Sequence, residues 1–199
     1  MSNNRPSKHQ SPTFRPVFQC LSSTQAQLEN HTELCNGSSA AIWRREETDL
    51  TRYKHPGHHT LSCYLGGGQS IRRLFANRTQ GGGGPGRICL MPGDGDSHWD
   101  VNGSIHFMHL YFSEQHLKDL AGRIQDKSSD HLQLQDMTFM EDSWISNLCQ
   151  QVIRPLNWQD NADRIALSSA SDMLMVHLLK NYCGNYTRLP ESKGGLSPY

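Results

Sequence analysis

The sequence predicts a mainly β domain, an antiparallel barrel or sandwich, with helices appended at its C-terminal side. Three observations predict it. Short apolar runs occupy residues 40–45, 58–65, 69–75, 87–91, 97–101 and 104–112. Strong breakers separate them: Pro56-Gly57, Gly66-Gly67-Gly68, Gly81 to Gly84 with Pro85, Pro92 to Gly95, and Asn102-Gly103. After Phe112 the apolar period lengthens from two to about 3.6 residues. Strands at this spacing with such turns read as a closed or double-layered antiparallel β fold.

Taken in order, residues 1–17 are polar, rich in Ser, Asn, Arg and Pro, without an apolar period, and read as disordered. The barrel is expected over 18–125. Asn102-Gly103, flanked by apolar residues, is the strongest hairpin signal in the chain. The four-glycine run has no Lys-Ser or Lys-Thr ending and no helical pattern behind it, so it reads as a hairpin tip and not as a phosphate loop. Ser113 can cap a short helix carrying Leu117, Leu120, Ala121 and Ile124. A longer helix carries Trp144, Ile145, Leu148, Val152 and Ile153 on one face. Its cap is either Thr138, with Glu141 closing a capping box, or Asp142. Asp160 caps a last helix with Asp163 at its positive end, and Gly184 can end it. The last two helices form an antiparallel hairpin over 126–185, and 186–199 reads as a linker. The final helix is apolar over more than one stripe. The surplus fits either a second copy of the chain or a place between barrel and hairpin. A dimer is the favoured expectation, with Leu174 and Leu178 at its interface.

Composition narrows the function classes. The 199 residues hold 19 basic and 19 acidic side chains, a formal charge of zero. That is not the basic footprint that neutralising nucleic-acid phosphates requires. No stretch approaches the ~20 apolar residues of a membrane span, and the start lacks the apolar core of a signal peptide. A cytoplasmic protein without a membrane partner is expected. Six cysteines (20, 35, 63, 89, 149 and 183) include no C-x-x-C pair. Those inside apolar runs read as reduced, buried, small hydrophobes. No G-x-S-x-G, H-E-x-x-H or paired catalytic carboxylates stand out, so no enzyme is expected.

The most informative stretch is Gly86-x5-Pro92-x2-Gly95-x2-His98-x3-Asn102. With one extra residue between Pro92 and Gly95, it resembles the second motif of the cupin superfamily. Tyr53-x-His55-x3-His59-x6-Gly66 keeps the spacing of the first cupin motif, with Tyr for its first His and His for its Glu. The resemblance implies a cupin-like double-stranded β-helix in which Tyr53, His55, His59 and His98 point to one spot. Two readings follow. His55, His59 and His98 could hold one divalent metal ion such as zinc, nickel or iron. Alternatively, these groups hydrogen-bond an organic ligand, which is the favoured reading. Strand alternation puts His59 with Leu61, Cys63 and Leu65, and His109 with Ile105, Phe107 and Tyr111. The ligand-binding set expected is therefore His59, His98, His109, Tyr111, Tyr53 and Trp99. Arg72 and Arg73 point to opposite faces, so only one can enter the barrel, and surface placement is favoured.

The order of parts carries a further resemblance. A degenerate cupin barrel, a short helix, a two-helix hairpin and a Gly-rich linker are similar to the N-terminal half of bacterial AraC/XylS-type transcription regulators. So are His58-His-Thr-Leu-Ser-Cys-Tyr-Leu-Gly-Gly-Gly, the run from Gly86 through His98 to His109-Leu-Tyr-Phe-Ser, and the ending Gly194-Gly-Leu-Ser-Pro-Tyr199. The resemblance implies a small-molecule effector in the barrel and a homodimer through the hairpin. Contact with DNA would come only through a helix-turn-helix domain that is expected beyond residue 199. The competing readings are a small metal-dependent cupin enzyme, a dioxygenase or isomerase, and a stand-alone effector-binding module.

Overall fold

A computed structural model of the chain describes residues 15–124 and 132–184. The expected linker 186–199 and nearly all of the segment 1–17 lie outside the described residues. A short helix α1 (Pro16–Ser22) opens the described chain, with Pro16 in its first turn, where a missing N–H costs nothing. Nine strands follow: β1 (Gln27–Glu33), β2 (Ser39–Arg45), β3 (Asp49–Tyr53), β4 (His59–Gly67), β5 (Arg72–Leu74), β6 (Thr79–Gln80), β7 (Arg87–Met91), β8 (Ser97–Val101) and β9 (Ile105–Phe112). Then come α2 (Glu114–Ile124), β10 (Gln133–Leu134), β11 (Met137–Glu141), α3 (Ser143–Asn147), a π-helical continuation (Leu148–Ile153), α4 (Asn161–Tyr182) and β12 (Cys183–Gly184).

Apart from β10 and β12, which pair with each other, the strands form two antiparallel sheets that face each other. The larger has the order β1-β2-β9-β4-β7-β11 and the smaller β3-β8-β5-β6. Between them lies one apolar cluster built on Trp43, Tyr64, Met91 and Phe107 of the large sheet and Tyr53, Ile71, Trp99 and Val101 of the small one. The opposite face of the large sheet carries Ile42, Leu61, Cys63, Ile88, Leu90, Met108 and Leu110 and packs on the helices. This explains why β4 and β9 are apolar on both faces, as the sequence leads one to expect for β9. The small sheet has only one covered face and therefore alternates: Ser97, Trp99 and Val101 are buried, His98 and Asp100 are not.

Several local expectations are corrected. Asn102-Gly103 is not the tip of a paired hairpin, because β8 lies in the small sheet and β9 in the large one. The turn, with Gly103 at φ 81°, is a corner between sheets. The glycine run likewise joins β6 to β7 across the sheets and is not a hairpin tip. A Cβ on Gly83 would stand 2.3 Å from the Gly68 carbonyl oxygen, so only glycine fits that close approach. Asp142 is the cap, its Oδ1 accepting from the Ile145 N–H at 2.9 Å, whereas Thr138 sits in strand β11. Gly184 does not stop α4. The chain leaves the helix at Cys183 in extended conformation and pairs with Gln133–Leu134. Residues 16 and 17, placed with the disordered segment by composition, belong to α1, with Val17 buried among the barrel residues.

Candidate functional site

The space between the two sheets is the candidate site. It contains a cavity of about 40 Å³ bordered by Ile71, Met91, Trp99, Val101, Ile105 and Phe107, with Arg45, Thr51, Tyr53, Ser62, Tyr64 and His109 as its polar members. Strand register positions these groups. Ser62 on β4 stands directly opposite His109 on β9. Thr51 on β3 faces Trp99 on β8, and Tyr53 faces Ser97.

Electrostatics inside are settled by burial. Arg45 is 3% exposed, and each of its three nitrogens donates one hydrogen bond: Nε to Glu47 at 2.7 Å, Nη1 to the Thr51 hydroxyl at 2.8 Å and Nη2 to Asp49 at 3.1 Å. Two carboxylates thus meet one guanidinium, as a buried charge requires. Burial pushes the His109 pKa down to about 3, with His58 and Arg45 adding repulsion, so the ring is neutral at physiological pH. Its Nδ1 lies 3.1 Å from the Tyr111 hydroxyl, which also accepts the Trp43 indole N–H at 3.1 Å. The phenol and the imidazole thus share one hydrogen bond, with the Trp43 indole as a donor to the phenol oxygen. His109 Nε2, the Tyr53 hydroxyl and the Ser62 hydroxyl have no hydrogen-bond partner among the described residues.

Of the ligand residues expected from sequence, Tyr53, Trp99 and His109 border this cavity, and Tyr111 supports His109 from behind. His59 and His98 do not join them. The face of β4 that carries His59, Leu61, Cys63 and Leu65 is the helix side, and Thr60, Ser62 and Tyr64 face the other way. His59 accepts the Gly93 N–H through Nδ1 at 3.1 Å and packs on Phe112. His98 occupies the outer register of β8, opposite Arg52 and Leu74. His55 sits at φ 35° before Pro56-Gly57, its side chain 75% exposed and its Nδ1 2.8 Å from Asp96. The turn swings it outward. Thus His55, His59 and His98 do not converge, and no group of three His, Cys, Asp or Glu among the described residues can hold a metal ion. The donor set does not fit the zinc, nickel or iron site that the motif spacing implies.

The arginine pair is corrected too. Arg73, not Arg72, enters the fold at 3% exposure. It is bound by both Asp136 oxygens and by Thr138, with Nη2 to Oδ2 at 2.7 Å. Sequence reasoning missed Arg45, Thr51 and Ser62. Period-two alternation within 40–45 and 58–65 places Arg45 and Ser62 on definite faces. Both faces of those runs are apolar, however, so the pattern does not say which one looks inward. Helix α1 was missed as well. Val17 and Leu21 insert into the cluster between the sheets, Phe18 packs on Trp43 at 5.0 Å between ring centroids, and Arg15 Nη2 donates to the Gly37 carbonyl at 2.7 Å. The helix thus plugs into the cluster between the sheets.

No family model matches this chain, and no curated protein matches it. Solved structures are similar at low identity. A cupin 2 conserved barrel domain protein from Salinispora arenicola is 12% identical, over 62% of this chain and 98% of its own, with a TM-score of 0.37. The cupin 2 domain of an XRE family transcriptional regulator from Enterobacter cloacae is 10% identical, over 44% and 93%, with a TM-score of 0.35. An ectoine synthase from P. lautus is 12% identical, over 44% and 63%, with a TM-score of 0.36. Among the described residues no helix is long and apolar enough to cross a membrane. Two facing antiparallel sheets closed around one interior, with helices packed on the larger sheet, make the fold cupin-like.

Proposed function

We propose that this chain is the effector-sensing and dimerisation region of an AraC-type DNA-binding transcription regulator, with a small molecule bound between the two sheets. One observation carries the reading: the interior keeps three unpartnered neutral polar groups while the one charge at its wall is internally paired. Such an interior suits binding more than turnover. It presents no carboxylate facing the cavity, and its one imidazole is held neutral far below physiological pH, so no tuned general acid or base is at hand.

The plug by α1 supplies the two-state element. An effector of ordinary size needs a pocket of ~300 Å³ or more, whereas the cavity holds about 40 Å³. Binding therefore requires the interior to expand; we place that expansion at Val17 and Leu21, which pack in the same apolar cluster, so that the bound and free states differ in where α1 lies. The helices behind the large sheet share its apolar core, so they can register the change.

Dimerisation needs different residues from those the periodicity suggested. Leu174 and Leu178 are fully buried in their own subunit's core. The outward face of α4 carries Ile165 and Met173, 62% and 52% exposed, with Ser169 between them. These are proposed as the contact with a second copy. DNA contact is assigned to a domain following residue 199, consistent with the neutral charge of this one.

The test is to read the source gene past codon 199. An open frame continuing into two helix-turn-helix units supports the reading. A stop codon there removes the DNA output and leaves a stand-alone effector-binding module.

A further inference from the structure

The chemistry of the effector is written in the charge pattern around the cavity. Arg45 is the charged side chain at its wall, and its single positive charge already holds two carboxylates, Glu47 and Asp49, with Thr51 as a third acceptor. Arg73, the other buried arginine of the barrel, is held by Asp136 and Thr138 and does not border the cavity. An entering carboxylate or phosphate would have to displace an existing counter-ion or be buried uncompensated, which is costly. An ammonium group would meet no carboxylate, because neither Glu47 nor Asp49 borders the cavity. What stands free is neutral: the Ser62 hydroxyl and the His109 Nε2 side by side on neighbouring strands, and the Tyr53 hydroxyl from the opposite sheet. The rest of the wall is apolar or aromatic.

We propose that the barrel selects a small uncharged effector, an apolar body bearing one hydroxyl or carbonyl group held by Ser62, His109 and Tyr53, and rejects acids and amines of the same shape. The proposal rests on the barrel being the effector site. It also explains how the two buried arginines on the barrel strands, Arg45 and Arg73, avoid making an anion pocket: each is held by acidic partners of its own chain. The cavity is smaller than the roughly 150 Å³ that admits a benzene ring, so the apolar body needs space from the adjoining cluster, where Leu21 and Val17 of α1 pack.

The experiment is a nuclear magnetic resonance titration with three probes that share one ring and differ in charge: benzyl alcohol, benzoate and benzylamine. The indole N–H signals of Trp43 and Trp99 report the interior, and those of Trp144 and Trp158 report the helices. The expected result is a saturable shift of the interior signals by benzyl alcohol, with a Kd at least tenfold below that of either charged probe. Ser62→Ala weakens it several-fold and Leu21→Ala tightens it, and Val17→Ala is used if Leu21→Ala fails to fold. Equal or tighter binding of benzoate or benzylamine at the same signals, with the same response to Ser62→Ala, overturns the uncharged class and leaves the barrel as the effector site. No shift of the interior signals by any probe, in the wild type or with the plug loosened, overturns both.

Discussion

At the scale of single residues, buried histidines make the fold sensitive to acid. Burial pushes His58 down to about 4, helped by nearby Arg15 and His59 and opposed by a bond to the Pro56 carbonyl, and it pushes His109 down to about 3. Both stand near 6.5 in the unfolded chain. Below that value the unfolded state binds protons that the folded state refuses, so stability present above pH 6.5 is lost as pH falls toward 4. Each group contributes a slope of up to about 1.4 kcal/mol per pH unit. Urea melts between pH 4 and 7 should show this decline, and His58→Asn should flatten it. An unchanged slope in that variant would mean the ring titrates freely. Arg45 is a second sensitive position. Arg45→Leu leaves Glu47, itself mostly buried, without its cation and is expected to cost about 3 kcal/mol in the same melts.

At the scale of elements, α1 and the Asp142 cap make the clearest predictions. Leu21 is fully buried although it lies on a seven-residue helix near the chain start. A helix this short has little stability of its own, so its place depends on Val17, Leu21 and the Arg15 bond to Gly37. Leu21→Asp is expected to release α1 while the sheets stay folded. Trp43, which packs on Phe18, would then become open to acrylamide quenching with the far-ultraviolet spectrum nearly unchanged. Asp142 ties the start of α3 to the end of α4. Its Oδ2 lies 2.8 Å from His177 Nε2 and accepts the Tyr182 hydroxyl at 2.7 Å, while Oδ1 caps the helix. Trp144 stacks flat on His177 at 4.4 Å. Asp142→Ala removes the cap and strands both partners, for a cost of about 2 kcal/mol, readable as a lowered urea midpoint.

At the scale of the whole molecule, one helix separates folding from association. Leu174→Ala opens a cavity in the core that joins barrel and hairpin and should cost about 2–5 kcal/mol, and Leu174→Asp should prevent folding. Ile165→Asp with Met173→Asp touches only the outward face. The pair is expected to convert a dimer to a monomer in sedimentation velocity while the far-ultraviolet spectrum stays unchanged. If the double variant sediments like the wild type, the outward face of α4 is not the interface.

The sequence by itself determined the architecture. Turn residues at short intervals and the change of period after Phe112 placed most of the strands, both hairpin helices and the Asp160 cap of the second, because breakers and periodicity act locally. It also placed His109, Tyr111, Tyr53 and Trp99 near the interior. Only the tertiary structure decided which way the other candidates face. β4 is covered on both sides, so apolar alternation along it is symmetric, and His59 fell on the helix side while Ser62 took the inside. The same ambiguity hid Arg45. A positive φ before Pro56-Gly57 turned His55 away, and Leu174 and Leu178 became core once the hairpin lay on the large sheet. Polar composition concealed α1 because its two anchoring side chains gain their burial from strands distant in sequence. Local patterns record how often a residue is buried, whereas the partner that buries it is chosen only when the sheets close.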